Sequence, residues 1–375
     1  MIINIRIIMP TNQKKQIIDL DQYLNQKINI LKQNFNKMKQ TNITYCNNLI
    51  NSVKLSKLTQ NQKNIKLSQL TMQLNQTINI LLNKLNTDIL HIQNYVKQEK
   101  EKVTQLIQSN QSNQSNQSNQ SNQKKALLVG INYNGTTNKL NGCINDTNEV
   151  NKILMAHNYT SIKILSDQIG PTNQIGPTKQ NILFEFQNLL KSGNPGDTLF
   201  FQYSGHGTYV KDTNGDELTG YDQGIVSLNL SIITDDELKT CINNNLKAGV
   251  TLIALFDSCF SGSVLDLRYQ YIDSLNSNIL TINDKENLTQ GNVVMISGCS
   301  DVQTSADAYI GNGVYNGALT YCFLNTVKNY SDNNQNLSWR NLIQTMRNQL
   351  LTNGFHQIPQ ISSGQLIDLD TNIYF

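Results

Sequence analysis

Residues 252–262 read LIALFDSCFSG: mostly apolar positions run straight into an acid, a hydroxyl and a thiol, then close on small residues. A strand buried on both faces of a parallel sheet is a continuous apolar run, and in open α/β sheets reactive groups gather just past the carboxyl ends of such strands. The stretch therefore reads as a central strand that delivers Cys259 to the place where chemistry is done. Working outward, KALLVGINY (125–133), SIKILSD (161–167), DTLFFQYSGHG (197–207) and NVVMISGCS (292–300) carry the same signature. Helical stretches at roughly 145–157, 178–192 and 235–245 lie between them, the second opened by Pro177 and Thr178. Alternating strands and helices predict a three-layer α/β/α sandwich around a mostly parallel sheet.

This pattern begins only near residue 124 of 375. Residues 1–123 hold 15 Lys/Arg against 5 Asp/Glu, leaving 15 against 22 for the rest, so the first third is basic and the remainder acidic. Ile17, Leu20, Leu24, Ile28, Leu31, Phe35 and Met38, and again Leu67, Leu70, Leu74, Ile78, Leu81, Leu85, Ile89, Ile92 and Val96, recur at spacings of three and four. Two long amphipathic helices over 1–107, paired as a hairpin or coiled coil, would bury both stripes and offer a surface for self-association. Without an Arg cluster or interleaved aromatics, the basic surplus reads as solvated lysine, not as a specific nucleic-acid surface. Residues 108–123 are a strict Ser-Asn-Gln repeat and are expected to be a flexible linker.

Six cysteines are spread over the chain with no CxxC pair, which argues against a zinc site and a disulfide framework and favours a reducing compartment. Arg6 and Pro10 cut the apolar opening short of a signal-peptide core, and no run approaches the ~20 apolar residues of a membrane span. The expectation is a cytoplasmic protein without a membrane span.

YSGHG (203–207) and DSC (257–259) end neighbouring strand candidates, so His206 and Cys259 are expected side by side, the imidazole taking the thiol proton. The glycines flanking His206 would let a substrate backbone approach, and the Gly207 and Cys259 amides would face a developing oxyanion. Taken singly, each residue reads better as structural, a buried cysteine and a satisfied histidine; the pairing at two strand ends points to a catalytic dyad.

These motifs resemble those of type I metacaspases, caspase-like cysteine peptidases. LNGCINDTNEV (140–150), GDELTGYDQGIV (215–226), ITDDELK (233–239), SVLDL (263–267), ISGCSDVQTSADA (296–308), GALTYCF (317–323) and HQIPQISS (356–363) follow in the family's order over roughly 124–375. The resemblance implies a caspase-like sandwich divided into a large-subunit-like part (124–266), a linker loop (267–291) and a small-subunit-like part (292–375). It also implies an endopeptidase that cuts protein substrates after Arg or Lys. Asp257 and Asp146 match the family's pocket acids, with Cys143 and Ser204 as pocket wall; two carboxylates in a partly dry slot call for a cation. The alternative for Asp146 is a helix N-cap, since NDTNEV opens a helix.

Asp222, Asp235, Asp236 and Asp266 match the family's activating calcium site, although a solvated acidic loop and a capped helix remain open for them. DTNGDELTGYDQ (212–223) is not an EF-hand: Gly215 falls fourth and Gln223 twelfth. Two positions depart from the family, Phe260 where His is common and Asn229 where an acid is usual. Self-cleavage is expected first at Lys285 or Arg268 in the linker loop, then at Lys124 or Lys125 beside the repeat. The alternative from another class is a caspase-like scaffold or aggregate-binding module acting through the helices and the repeat.

Overall fold

The computed structural model describes residues 11–114, 122–168, 176–212, 220–259, 261–274, 277–283, 288–298, 307–311, 314–355 and 357–373. The chain divides into two compact units, Met1–Ser109 and Asn110–Phe375.

In the first unit, α1 (Thr11–Leu55) and α2 (Gln60–Gln114) form an antiparallel hairpin. The Lys63 ammonium donates to the Lys54 carbonyl at 2.9 Å, Cys46 Sγ to the Leu70 carbonyl at 3.7 Å, and Lys100 pairs with Asp21 at 2.6 Å. Leu20, Cys46, Val53 and Val96 are buried, two of them in the apolar stripes. Among the described residues, no helix is long and apolar enough to cross a membrane. The expected linker at 108–123 is partly overturned, because α2 continues through Gln114. Extending a formed helix adds one hydrogen bond per residue without a new nucleus, and glutamine is a good helix former, so the repeat's first turns join α2.

The second unit opens with β1 (Lys124–Gly130), α3 (Cys143–Ala156), β2 (Ser161–Ser166), α4 (Lys179–Ser192) and β3 (Thr198–Ser204). A small sheet follows, β4 (Gly207–Lys211), β5 (Tyr221–Val226) and β6 (Ile232–Thr234), then α5 (Asp235–Asn245) and β7 (Thr251–Asp257). Next come β8 (Tyr269–Ser274), β9 (Ser277–Ile282), β10 (Asn292–Ser297), β11 (Asp307–Gly311), β12 (Val314–Gly317), α6 (Ala318–Asp332), α7 (Trp339–Thr352) and β13 (Gln360–Ser363). The central sheet has the order β2-β1-β3-β7-β10-β13-β8-β9. It is parallel from β2 to β10 and antiparallel beyond.

The helix starts are written locally. Thr178 accepts the Asn181 amide at α4, and Thr234 with Glu237 closes a capping box at α5. Alternation along the strands then assigns the faces. Phe201, Tyr203, Leu252, Ala254 and Phe256 share a core with Ile182 and Phe186 of α4 and Leu238 and Ile242 of α5. On the other face Phe200 meets Phe323 of α6 at 6.2 Å, and Gln202 accepts from Thr147 of α3 at 3.2 Å. Ser204 and Asp257 are in phase with this second set.

The expected linker loop 267–291 is corrected by β8 and β9, a hairpin on the sheet edge whose partner β13 lies far downstream in sequence. Arg268, expected to be accessible there, is 2 % exposed, and its carbonyl accepts the Asn283 amide at 2.8 Å. Lys124 and Lys125 are also misplaced as cleavage sites. Both lie in β1, paired with β3, and their ammonium groups reach the His157 and Ser192 carbonyls at 3.1 and 2.6 Å. A protease binds an extended, free segment, which a paired inner strand is not. Lys285 and Phe260 lie outside the described residues.

Phe256 is fully buried between Phe201 and Tyr203, with ring centroids at 5.5 and 6.4 Å. Phe256→Ala is expected to cost the α/β unit about 3–5 kcal/mol, read as a lower denaturant midpoint at unchanged slope.

Candidate active site

The site is built by the ends of two strands in register. Ser204 of β3 pairs with Asp257 of β7, so His206 and Cys259 each stand two residues past a matched pair. The Gly205 amide still reaches the Asp257 carbonyl at 3.4 Å. A Cβ on Gly207 would stand 1.8 Å from the Cys259 carbonyl oxygen, 2.9 Å from its carbon and 3.3 Å from its nitrogen. Gly207 therefore makes room for the main chain of the nucleophile candidate itself, a tighter constraint than the substrate access expected from the sequence. Cys259 is partly exposed, and the partly exposed His206 has Nε2 2.7 Å from the Asn138 carbonyl oxygen. A carbonyl only accepts, so Nε2 carries the hydrogen and the neutral ring keeps its lone pair on Nδ1.

Beneath the histidine lie two tyrosines that the sequence reading passed over. The Tyr133 ring stands 4.7 Å from the imidazole at 38°, and its hydroxyl accepts the His206 amide at 3.0 Å and donates to the Val226 carbonyl at 2.5 Å. Tyr203 Oη reaches the His206 carbonyl at 2.7 Å, and the two hydroxyls are 3.1 Å apart. Burial pushes both phenols far above their usual range, so they stay neutral. Gly205 must lack a side chain, since its Cβ would fall 2.5 Å from the Tyr203 hydroxyl and 3.0 Å from that of Tyr133.

Asp146 is fully buried and Asp257 nearly so. Ser204 Oγ donates to Asp146 Oδ2 at 2.6 Å, the Gly317 amide to both Asp146 oxygens at 2.9 and 3.0 Å, and the Thr320 amide to Asp257 Oδ2 at 2.8 Å. The two acids thus meet at the start of α6. Asp146 is not the N-cap of its own helix: Gly142 holds that position, and Asn132 Oδ1 accepts the Ile144 amide at 3.2 Å. Cys143 is buried in the same first turn, where its carbonyl accepts from Thr147 at 3.1 Å.

The remaining acids lie on α5 or on segments that touch it. Asp235 accepts the Gln223 amide at 2.6 Å and the Asp236 amide at 3.0 Å, which ties it to the strand carrying buried Asp222. One turn on, the buried Lys239 ammonium donates to the carbonyl of Asp266, a residue held at φ +44°. An all-carboxylate donor set has the chemistry of a calcium site. In this conformation, however, no three His, Cys, Asp or Glu side chains among the described residues stand as a set that could hold a metal ion. Asn229 accepts the Ser227 hydroxyl at 2.6 Å within its turn.

Residues 124–268 match the family model described as metacaspase, peptidase C14 domain. The chain is 37% identical over 309 residues to metacaspase-1 of Candida albicans, with 67% of each chain covered. It is 38% identical over 265 residues to metacaspase-2 of Trypanosoma brucei brucei, covering 66% of this chain and 74% of that one. This chain belongs to the metacaspase family. The metacaspase unit is thus that of a cysteine-type endopeptidase, a hydrolase acting on protein substrates. A crystal structure of a protein from Geobacter sulfurreducens shares its fold at TM-score 0.50 and 23% identity, covering 67% of this chain and 98% of that chain.

Asn138, Tyr133, Tyr203, Gly317 and Thr320 of the metacaspase site had no local signal in the sequence beyond a tyrosine or glycine at a strand end. Tyr133→Phe, which deletes the hydroxyl under His206, is expected to lower kcat roughly fivefold to tenfold with KM nearly unchanged, the effect of one lost hydrogen bond. Steady-state kinetics on a peptide substrate checks it.

Proposed function

We propose that this metacaspase cuts proteins after Arg or Lys through a Cys259–His206 dyad and is stimulated by calcium. The observation that supports the dyad most strongly is the shared register of β3 and β7, with Gly207 pressed on the Cys259 main chain. His206 Nδ1 takes the thiol proton, and the thiolate attacks the scissile carbonyl. The oxyanion forms beside the Gly207 and Cys259 amides, and the intermediate collapses as His206 returns the proton to the leaving amine. His206 then deprotonates a water that hydrolyses the thioester, releasing the new carboxylate and restoring the thiol. Asn138, by accepting from Nε2, orients the ring and supports the imidazolium.

Asp146 and Asp257 supply the negative charge for a basic side chain, a guanidinium suiting paired carboxylates best. Calcium stimulation rests on the donor chemistry of Asp222, Asp235, Asp236 and Asp266, and no bond-making step passes through the ion. Self-association belongs to the helical hairpin, where Ile30, Met38 and Tyr45 of α1 are exposed at spacings of eight and seven.

The test is hydrolysis of Arg-, Lys- and Asp-ended fluorogenic peptides with calcium and with chelator. Cleavage after Arg and Lys only, raised by calcium and abolished in Cys259→Ala, is expected; equal rates in calcium and chelator would remove the ion from the scheme. Cys322 serves as an internal control. It is fully buried, and desolvation, with the Asp257 charge beside it, pushes its thiol up to about 12. Iodoacetamide is therefore expected to inactivate the folded enzyme through Cys259 and leave Cys322 unlabelled, as peptide mapping will show.

A further inference from the structure

We infer that Gly317 is a specificity-determining residue of this peptidase, an inference resting on the reading of Asp146 and Asp257 as the basic-residue pocket. Gly317 is the N-cap of α6 with φ −64° and ψ 134°, a conformation open to any residue, so the backbone does not call for glycine. The neighbours do. A Cβ here would stand 2.0 Å from Asp257 Oδ2, 2.5 Å from its Cγ and 2.9 Å from Asp146 Oδ2. The residue fills the gap between the two carboxylates and is narrow enough to do so only without a side chain.

From that gap it acts on both acids. Its own amide donates to both oxygens of Asp146 at 2.9 and 3.0 Å, and the Thr320 amide in the same helical turn donates to Asp257 at 2.8 Å. The amides of a first helical turn have no partner within the helix, and the positive end of the helix dipole falls on the same spot. Two like charges are thereby held together by main-chain donors of one rigid element. These donors orient the pair without consuming the acceptor capacity of two carboxylates. A substrate guanidinium or ammonium thus enters a cluster already aimed, instead of drawing it together on arrival. A methyl group at position 317 pushes the start of α6 away and releases both acids from their shared support, while His206 and Cys259, carried by β3 and β7, keep their register.

The test uses the full chain and two readouts. Gly317→Ala is assayed on Arg- and Lys-ended peptides, and its Cys259 is alkylated with iodoacetamide, which does not read the residue before the scissile bond. The expected result is a fall in kcat/KM of about tenfold or more on both peptides, the size of a lost charge-assisted hydrogen bond, with an unchanged alkylation rate. Thr320→Pro replaces it if Gly317→Ala fails to fold. Proline is tolerated in a first turn and removes the amide that serves Asp257 together with the buried Thr320 hydroxyl, so the same split is expected. Wild-type kcat/KM in either folded variant overturns the inference, and so does a parallel loss of cleavage and alkylation. A wild-type enzyme that leaves Arg- and Lys-ended peptides intact removes the pocket reading itself, a result visible before any variant is made.

Discussion

Two adjacent parallel strands that end in step are the constraint on which the rest of the site depends. Because Ser204 and Asp257 are register partners, the segments that follow leave the sheet at the same height and must share one small space. Glycine on either side of His206 is what lets them. Gly205 clears the tyrosine hydroxyls below, and Gly207 clears the Cys259 main chain beside it. Side-chain alternation then sorts the neighbourhood without further instruction. Odd positions of β3 and even positions of β7 feed the core under the histidine, while Ser204 and Asp257 fall on the face where α3 and α6 bring Asp146 and Gly317.

The arrangement also separates two tasks that a peptidase must combine. In the proposed scheme the dyad hangs from strand ends and is oriented by Asn138, whereas the two buried acids are both held by amides at the start of α6, Asp146 by Gly317 and Asp257 by Thr320. Strand ends fix position through the sheet's hydrogen-bond ladder; helix starts add an electrostatic preference for negative charge. The neutral Tyr133–Tyr203 pair lies between the sheet and the histidine, where a charged group would demand its own counterion.

The parallel half of the sheet was legible because its information is local. Runs such as LFFQYS and LIALFD announce buried strands, and caps such as Thr178 and Thr234 announce helices, within a few residues. The antiparallel edge was not, since the β8–β9 hairpin joins the central sheet through β13, which comes from far along the chain, and its polar, alternating composition passed for a loop. The same limit hid Arg268, buried at the entrance to that hairpin, and Gly317, whose lack of a side chain has meaning only once Asp146 and Asp257 are beside it. The repeat misled in the opposite way: its composition suggested independence, yet a helix already under way absorbed its first residues.

The strand order of that antiparallel edge has a mechanical consequence. The chain enters β10 after β9, but β10 lies against β7, and β13 lies between β10 and β8. Strands from before and after the β9–β10 connection therefore meet at two seams, β7 with β10 and β8 with β13. The two segments dovetail, so continuity of the backbone between β9 and β10 is not what keeps them in one sheet. A single break in that connection would turn one polypeptide into two interlocked halves, held by the β7–β10 and β8–β13 ladders on either side of the β10–β13 pair and able to part only by unzipping both.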